Sequence, residues 1–342
     1  MSKALIVSPY LDHLGGGERY MLSLASVLES LGYDIHFAWD NLEEITHLAS
    51  MLGIELKDPK LNLAVKKLYI SHRPLAMFAA TRPYDVVVYL SDGSLPLLGG
   101  KKNLVHMQVP FHGVRGRSWQ NQLKKHFIHT VIVNSHFTKQ VIDLEFGLDS
   151  IVLYPPVMPI NPAPKENLIL SVGRFEPSLN TKHQDVLIEA WRTLSPQLPE
   201  WKLVLVGASG SDDWVSSLRK KATGLSIEFV VNASYSVLCT LYAKSKIYWH
   251  AAGYGVDEQK NPELTEHFGI STVEAISAGC IPLVVPYGGQ REIVTNPALH
   301  WTTVEEIITK TIWLTQNLQN IVPNISPYSL ENFKQNFSQL LT

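Results

Sequence analysis

Five prolines in eleven residues, from Tyr154 to Pro164, cut this chain in two. Proline fixes φ and has no N–H to donate, so neither a helix nor an interior strand runs through YPPVMPINPAP. On each side of it, short apolar runs alternate with helical periods, the pattern of a parallel sheet covered by helices. In the first half Ala4–Tyr10, Asp34–Trp39, Asp85–Leu90, Asn103–Met107, Thr130–Asn134 and Ile151–Leu153 read as strands. Glu18–Gly32 reads as an amphipathic helix closed by its glycine. In the second half Asn167–Arg174, Trp201–Gly207, Ile227–Val231, Lys246–His250 and Ile281–Val285 read as strands, with helices around Gln184–Leu194, Asp212–Thr223 and Tyr235–Lys244. The expected class is α/β: two Rossmann-like domains, 1–155 and 165–325, facing one another across a cleft. The segment 326–342 reads as a final amphipathic helix, available to pack back on the first domain.

Composition excludes several classes. With 45% hydrophobic and 18% charged residues the chain is globular rather than disordered. A net charge of −2 lacks the basic surplus that nucleic-acid binding needs, so no such partner is expected. Cys239 and Cys280 are too few for a disulfide framework or a metal cluster, and imply a reducing compartment. The N-terminus lacks a long apolar region, and no window approaches 18 uninterrupted apolar residues. A cytoplasmic protein is expected, peripheral at most on the inner face of a membrane.

Two loops stand where doubly wound folds bind phosphate. LGGGERY, Leu14–Tyr20, falls between the first strand and first helix, where Gly16 and Gly17 allow close approach of backbone amides to a bound group. It is not a dinucleotide fingerprint, since Tyr20 stands where the last glycine would be, nor does it hold the G-K-[ST] of a P-loop. The other reading is a plain turn before a helix. In the second half, Arg174 follows a strand and Lys182 precedes a helix, two cations placed to clamp a diphosphate. Lys182 also reads as a solvated surface lysine.

EHFGISTVEAISAGCIPLV, Glu266–Val284, carries two carboxylates eight positions apart around the start of a helix. That helix start is itself an anion site, so Glu266 and Glu274 suit neutral hydroxyls on either side of a bound phosphate. Ser271–Glu274 equally fits a capping box, with no ligand for Glu274; Glu266 has no such structural reading. A glycosidase carboxylate pair fits the two-domain pattern less well.

These motifs together resemble a retaining glycosyltransferase of family 4, whose architecture of two Rossmann-like domains is called GT-B. The resemblance rests on Glu266, Phe268, Gly269 and Glu274 in the family's Glu-to-Glu spacing, on GGGER, VNSHFT, LYPPV and VGRFEPSLNTKHQDVLIEAW, and on Gly288, Gly289 and Glu292 in GG-x-x-E. It covers almost the whole chain. It implies that Glu274 binds the ribose of a nucleotide-diphosphate sugar, and Glu266 the transferred sugar. Phe268, Gly269 and Ile270 would contact the sugar and distal phosphate through their backbone. Arg174 and Lys182 would neutralise the leaving diphosphate, Gly16 and Gly17 would close on it, and Asn232 and Ala233 would meet the base. His106 would lie near the donor sugar, with His112 as second candidate. Neither metal nor cofactor is implied, the nucleotide sugar being a co-substrate. The implied reaction moves a hexose, first glucose from UDP-glucose and second mannose from GDP-mannose, to a glycan or lipid-linked acceptor. A UDP-sugar 2-epimerase and a non-catalytic sugar-nucleotide-binding protein are the competing readings. The insert Gly253–Thr265 is less general in the family and leaves the sugar pocket open.

One feature needs no resemblance. Residues 93–142 contain no Asp or Glu but seven Lys or Arg and five His, with Trp119 and Phe127 interleaved. That pattern suits an anionic lipid surface, or the basic side of a neutral domain.

Overall fold

The computed structural model describes residues 2–12, 15–176, 182–210, 212–317 and 325–341. Leu14 of the glycine loop and Pro177 of the loop before Lys182 lie outside the described residues. The chain divides into two compact units, Met1–Pro156 with Leu330–Thr342, and Val157–Ser329.

The first unit holds strands β1 (Lys3–Val7), β2 (Asp34–Phe37), β3 (Lys60–Leu61), β4 (Val86–Leu90), β5 (Lys102–Met107), β6 (Thr130–Val133) and β7 (Ile151–Val152). They form a parallel sheet in the order β3-β2-β1-β4-β5-β6-β7. Helices α1 (Gly16–Ser30), α2 (Leu42–Met51), α3 (Leu63–Ile70), α4 (Pro74–Thr81), α5 (Trp119–Lys125) and α6 (His136–Phe146) connect them. Successive side chains of a strand point to opposite faces, and here both faces are dry. Ala4 and Ile6 of β1 enter one core while Leu5 and Val7 enter the other, and β4 divides Val86 and Val88 from Val87 and Tyr89 in the same way. That is why these strands read as unbroken apolar runs.

The second unit repeats the plan. Strands β8 (Glu166–Val172), β9 (Lys202–Gly207), β10 (Ile227–Val231), β11 (Ser245–His250) and β12 (Ile281–Val284) form a parallel sheet ordered β10-β9-β8-β11-β12. Its helices are α7 (Gln184–Leu194), α8 (Asp212–Lys221), α9 (Tyr235–Lys244), α10 (Ile270–Ser277), α11 (Gln290–Ile293) and α12 (Val304–Gln316). Pro282 is tolerated inside β12 because that strand is at the sheet edge: its strand partner is β11, and on the other side Val284 makes an isolated bridge to His300.

The second unit begins at Val157, inside the proline-rich stretch rather than after it. The Val157 N–H donates to the Tyr328 carbonyl at 2.7 Å, and Ile160 is buried in the unit's core. The final helix, α13 (Leu330–Leu340), belongs to the first unit, where Phe333 and Phe337 join the core beside Tyr20.

Candidate functional site

In an open parallel sheet, ligands bind outside the carboxyl ends of the strands where the strand order reverses. In the second unit that point lies between β8 and β11. β8 runs out into Gly173 and Arg174, and the buried Gln184 at the start of α7 donates its amide to both carbonyls, at 3.2 and 3.0 Å. Arg174 is thereby held at the strand end with its side chain exposed. A Cβ on Gly207 would stand 2.0 Å from the Gly173 carbonyl, so only glycine lets β9 come this close.

β11 ends in His250, which is buried. Its Nε2 lies 2.8 Å from Glu266 Oε2, and the Lys182 ammonium donates to that same oxygen at 2.6 Å. Burial alone would raise the Glu266 carboxyl; Lys182 and His250 outweigh it and hold the group well below the usual carboxylate range. Burial also keeps His250 below the usual imidazole range, against the pull of Glu266. Lys182 is therefore not a solvated surface lysine. It is the counter-ion of Glu266.

The backbone of Glu266 is fixed by the glycine pair. Gly289 N–H donates to the Glu266 carbonyl at 2.8 Å, and a Cβ on Gly288 would stand 2.0 Å from that oxygen. The insert anchors the same turn: Glu258 accepts from Gly288 N–H at 3.2 Å and pairs with Arg291. Beyond Glu266, Phe268 is buried edge-on to Tyr328, and Gly269 takes φ 118° as the cap of α10. That conformation requires glycine, and it makes Ile270 the first residue of the helix. Ser271 is therefore inside the helix rather than capping it, and the cap carries no side-chain hydrogen bond. The Ser271 hydroxyl instead meets the Tyr248 hydroxyl at 2.9 Å. The capping-box reading of Glu274 is overturned; its carboxylate lies 3% exposed beside the phenol of Tyr242, which burial and then Glu274 push upward.

Other expected site residues lie elsewhere. Asn232, at φ 55°, and Ala233 follow β10 at the far edge of the sheet, where Asn232 Oδ1 accepts from Ser209 N–H at 3.0 Å. Gly16, Gly17 and His106 belong to the first unit. Gly16 is exposed, whereas Gly17 is buried against Gln108, whose amide a Cβ would meet at 2.4 Å. His106 is 0% exposed, stacked on Tyr20 at 3.9 Å, with Nδ1 3.1 Å from the Ile132 carbonyl. Burial pushes its pKa down to about 3, so the ring is neutral. His112, the second candidate, is exposed.

Sequence reasoning missed His250, Gln184 and Gln290. His250 reads as the last residue of an apolar strand, and Gln290 occupies an unspecified position of GG-x-x-E. The strand order brings His250 to Glu266, Gln290 to His250 and Gln184 to the end of β8.

Residues 158–305, which contain this whole cluster, match the family model of glycosyl transferases group 1. The fold over the full length of the chain is GT-B: Anabaena HepE, solved in complex with UDP and glucose, superposes with a TM-score of 0.73, covering 100% of this chain and 99% of that one at 17% identity. Among curated relatives, the GDP-Man:Man(3)GlcNAc(2)-PP-Dol alpha-1,2-mannosyltransferase of Dictyostelium discoideum is 29% identical over 199 residues, 51% of this chain and 37% of that protein. The human protein of the same name is 30% identical over 192 residues, 49% of this chain and 36% of that one. Each match thus spans about half of this chain and little more than a third of the relative.

Proposed function

We propose that this chain is a retaining, metal-independent hexosyltransferase of family 4 that moves mannose from GDP-mannose to a lipid-linked glycan. The observation that carries the reading is the Glu266 carboxylate, kept anionic by Lys182 and His250 beside the N-terminus of α10. In this reading Glu266 accepts hydrogen bonds from the sugar hydroxyls and Glu274 from the ribose. Arg174 and the helix N-terminus stabilise charge developing on the departing diphosphate, the largest task such a site has. The acceptor oxygen bonds to the anomeric carbon on the face from which the diphosphate leaves, and its proton passes to the leaving phosphate oxygen. Support for mannose over the UDP-glucose first expected comes from the names of the curated relatives. The expected result is that GDP-mannose raises the melting temperature and is consumed in the presence of EDTA, while UDP-glucose does neither. Binding at 100 times Kd adds about 2.7 kcal/mol, enough to read as a shift of several degrees. Stabilisation by UDP-glucose alone would reverse the donor assignment.

The acceptor reading includes contact with an anionic membrane through α5 and its flanks. Trp119 is 70% exposed, Leu123 56% and Phe127 42%, with exposed Arg115 and Arg117 nearby in the chain. The surface is less basic than its sequence, since Lys101 pairs with Asp85, and Lys139 with Asp143 and Asp149. Among the described residues no helix is long and apolar enough to cross a membrane. Each near-surface cation adds about 1 kcal/mol on an anionic bilayer, and burying an apolar side chain about 1.5–3 kcal/mol. A Trp119→Ala/Leu123→Ala variant is therefore expected to lose at least about tenfold in co-sedimentation with phosphatidylserine vesicles. Unchanged co-sedimentation, or equal binding to neutral vesicles, would remove the membrane contact.

A further inference from the structure

Gln290 opens α11, is completely buried, and carries one amide nitrogen that faces two acceptors. That nitrogen lies 2.9 Å from Thr272 Oγ1 and 3.3 Å from His250 Nδ1. An amide nitrogen bears two hydrogens and accepts nothing, so in this orientation each hydrogen has one acceptor, while the buried Oε1 has no hydrogen-bond partner among the described residues. The far side of His250 makes the same demand. Nε2 stands 2.8 Å from an ionised carboxylate, off the line of a hydrogen bond; the carboxylate only accepts, so its charge favours the ring proton on Nε2 and leaves Nδ1 with a lone pair. The amide packs close over Gly269, where an added Cβ would stand 2.8 Å from its nitrogen.

We propose that Gln290 is a positioning residue that keeps His250 uncharged and protonated on Nε2, so that Glu266 faces one cation rather than two. This rests on the reading of Glu266 as the ligand of the transferred sugar. A carboxylate flanked by Lys182 and an imidazolium would be drawn into its ion pairs and be a poorer acceptor for sugar hydroxyls. Lys182 as its single cation leaves Glu266 anionic with acceptor capacity to spare. The charged and titratable groups around His250 are Glu266 and Lys182 from the two loops and Tyr248 from its own strand, the last with ring centroids 6.2 Å apart. Burial opposes the imidazolium most, Glu266 favours it, and Lys182 opposes it; the Gln290 hydrogens facing Nδ1 act in the same sense as burial.

The test replaces the donor at Nδ1 with an acceptor. In spectra of ring-15N histidine protein recorded without donor, wild-type His250 is expected to be neutral and Nε2-protonated at pH 7. Gln290→Glu is expected to bring it to imidazolium at that pH, and Gln290→Met, which keeps the bulk and removes the hydrogens, to an intermediate midpoint. With donor, kcat/KM of Gln290→Glu is expected to fall about tenfold at pH 7 and recover above about pH 8.5, whereas a merely structural loss would be flat with pH. An imidazolium or Nδ1-protonated ring in the wild type overturns the proposal, as does a Gln290→Glu ring that titrates at the wild-type midpoint. The wild-type spectrum decides even if a variant fails to fold. Because the spectra need no sugar nucleotide, an error in the donor assignment leaves them unaffected.

Discussion

Glu266→Gln is expected to lower transfer by about a hundredfold to a thousandfold while the protein still folds, measured as kcat/KM with GDP-mannose beside a thermal melt. The substitution keeps shape and removes charge. An amide nitrogen or oxygen then faces Lys182 at 2.6 Å and His250 at 2.8 Å, so two donors lose the anion they share. Losing charge-assisted hydrogen bonds to the substrate accounts for about 2.7–4 kcal/mol of transition-state stabilisation. Stability should fall by about 2 kcal/mol, less than the about 3–5 of a fully buried pair, because Lys182 is partly exposed. The loss has a definite pH dependence. Glu266 has a lowered pKa, so its contribution is fully present above the unfolded value of about 4.3 and disappears as pH falls through the folded value. The stability gap between wild type and Glu266→Gln should therefore be constant from about pH 5 to 8 and close in acid. Adding Lys182→Met to Glu266→Gln should restore stability without restoring turnover. Near-wild-type turnover of the single variant would mean that Glu266 is a structural ion pair and that the sugar is held elsewhere.

The sheets were legible because a strand segment buried on both faces must be apolar at every position, as in VVVYL of β4 and the LVLV of β9 that follows its exposed first lysine. The two-residue β3 carries no such signal, and its existence depends on the neighbouring β2. Glu266 stood out from the sequence because a carboxylate before a glycine turn satisfies no backbone need of its own. The identity of its partners did not follow. Lys182 is 84 positions away from Glu266, and nothing local distinguishes an ion-paired lysine from a solvated one. The capping box failed for a local reason: Gly269 at φ 118° starts the helix two residues early and puts Ser271 past the cap. The burial of His106 was not legible either, since a histidine inside an apolar strand meets whatever stacks on the sheet, and here that is Tyr20.

Gly288→Ala is the second change with a large expected effect, and it reaches the site without touching a charged group. At φ 64° the backbone of Gly288 already disfavours any side chain, at about 1–2 kcal/mol. The added methyl would also stand 2.0 Å from the Glu266 carbonyl and 2.8 Å from Thr265 Oγ1. The first of these is backbone, which cannot rotate away, so the turn or the Glu266 loop must shift. Movement of the carboxylate by about 1 Å relative to Lys182 and α10 costs about a hundredfold in rate for a positioned group. Gly224→Ala separates the two causes. Its φ is 80°, and a Cβ there meets nothing within 4 Å. That variant should show the backbone cost alone, with about 1–2 kcal/mol less stability and unchanged kcat/KM. Gly288→Ala should lose more stability than Gly224→Ala and nearly all donor binding, read by titration calorimetry with GDP-mannose. Equal melting temperatures and intact binding in both variants would mean that the glycine pair is a turn of convenience and that the ion pairs alone place Glu266. A difference between them would make the glycine pair part of the site, the element that sets where the carboxylate stands before Lys182 and His250 set its charge.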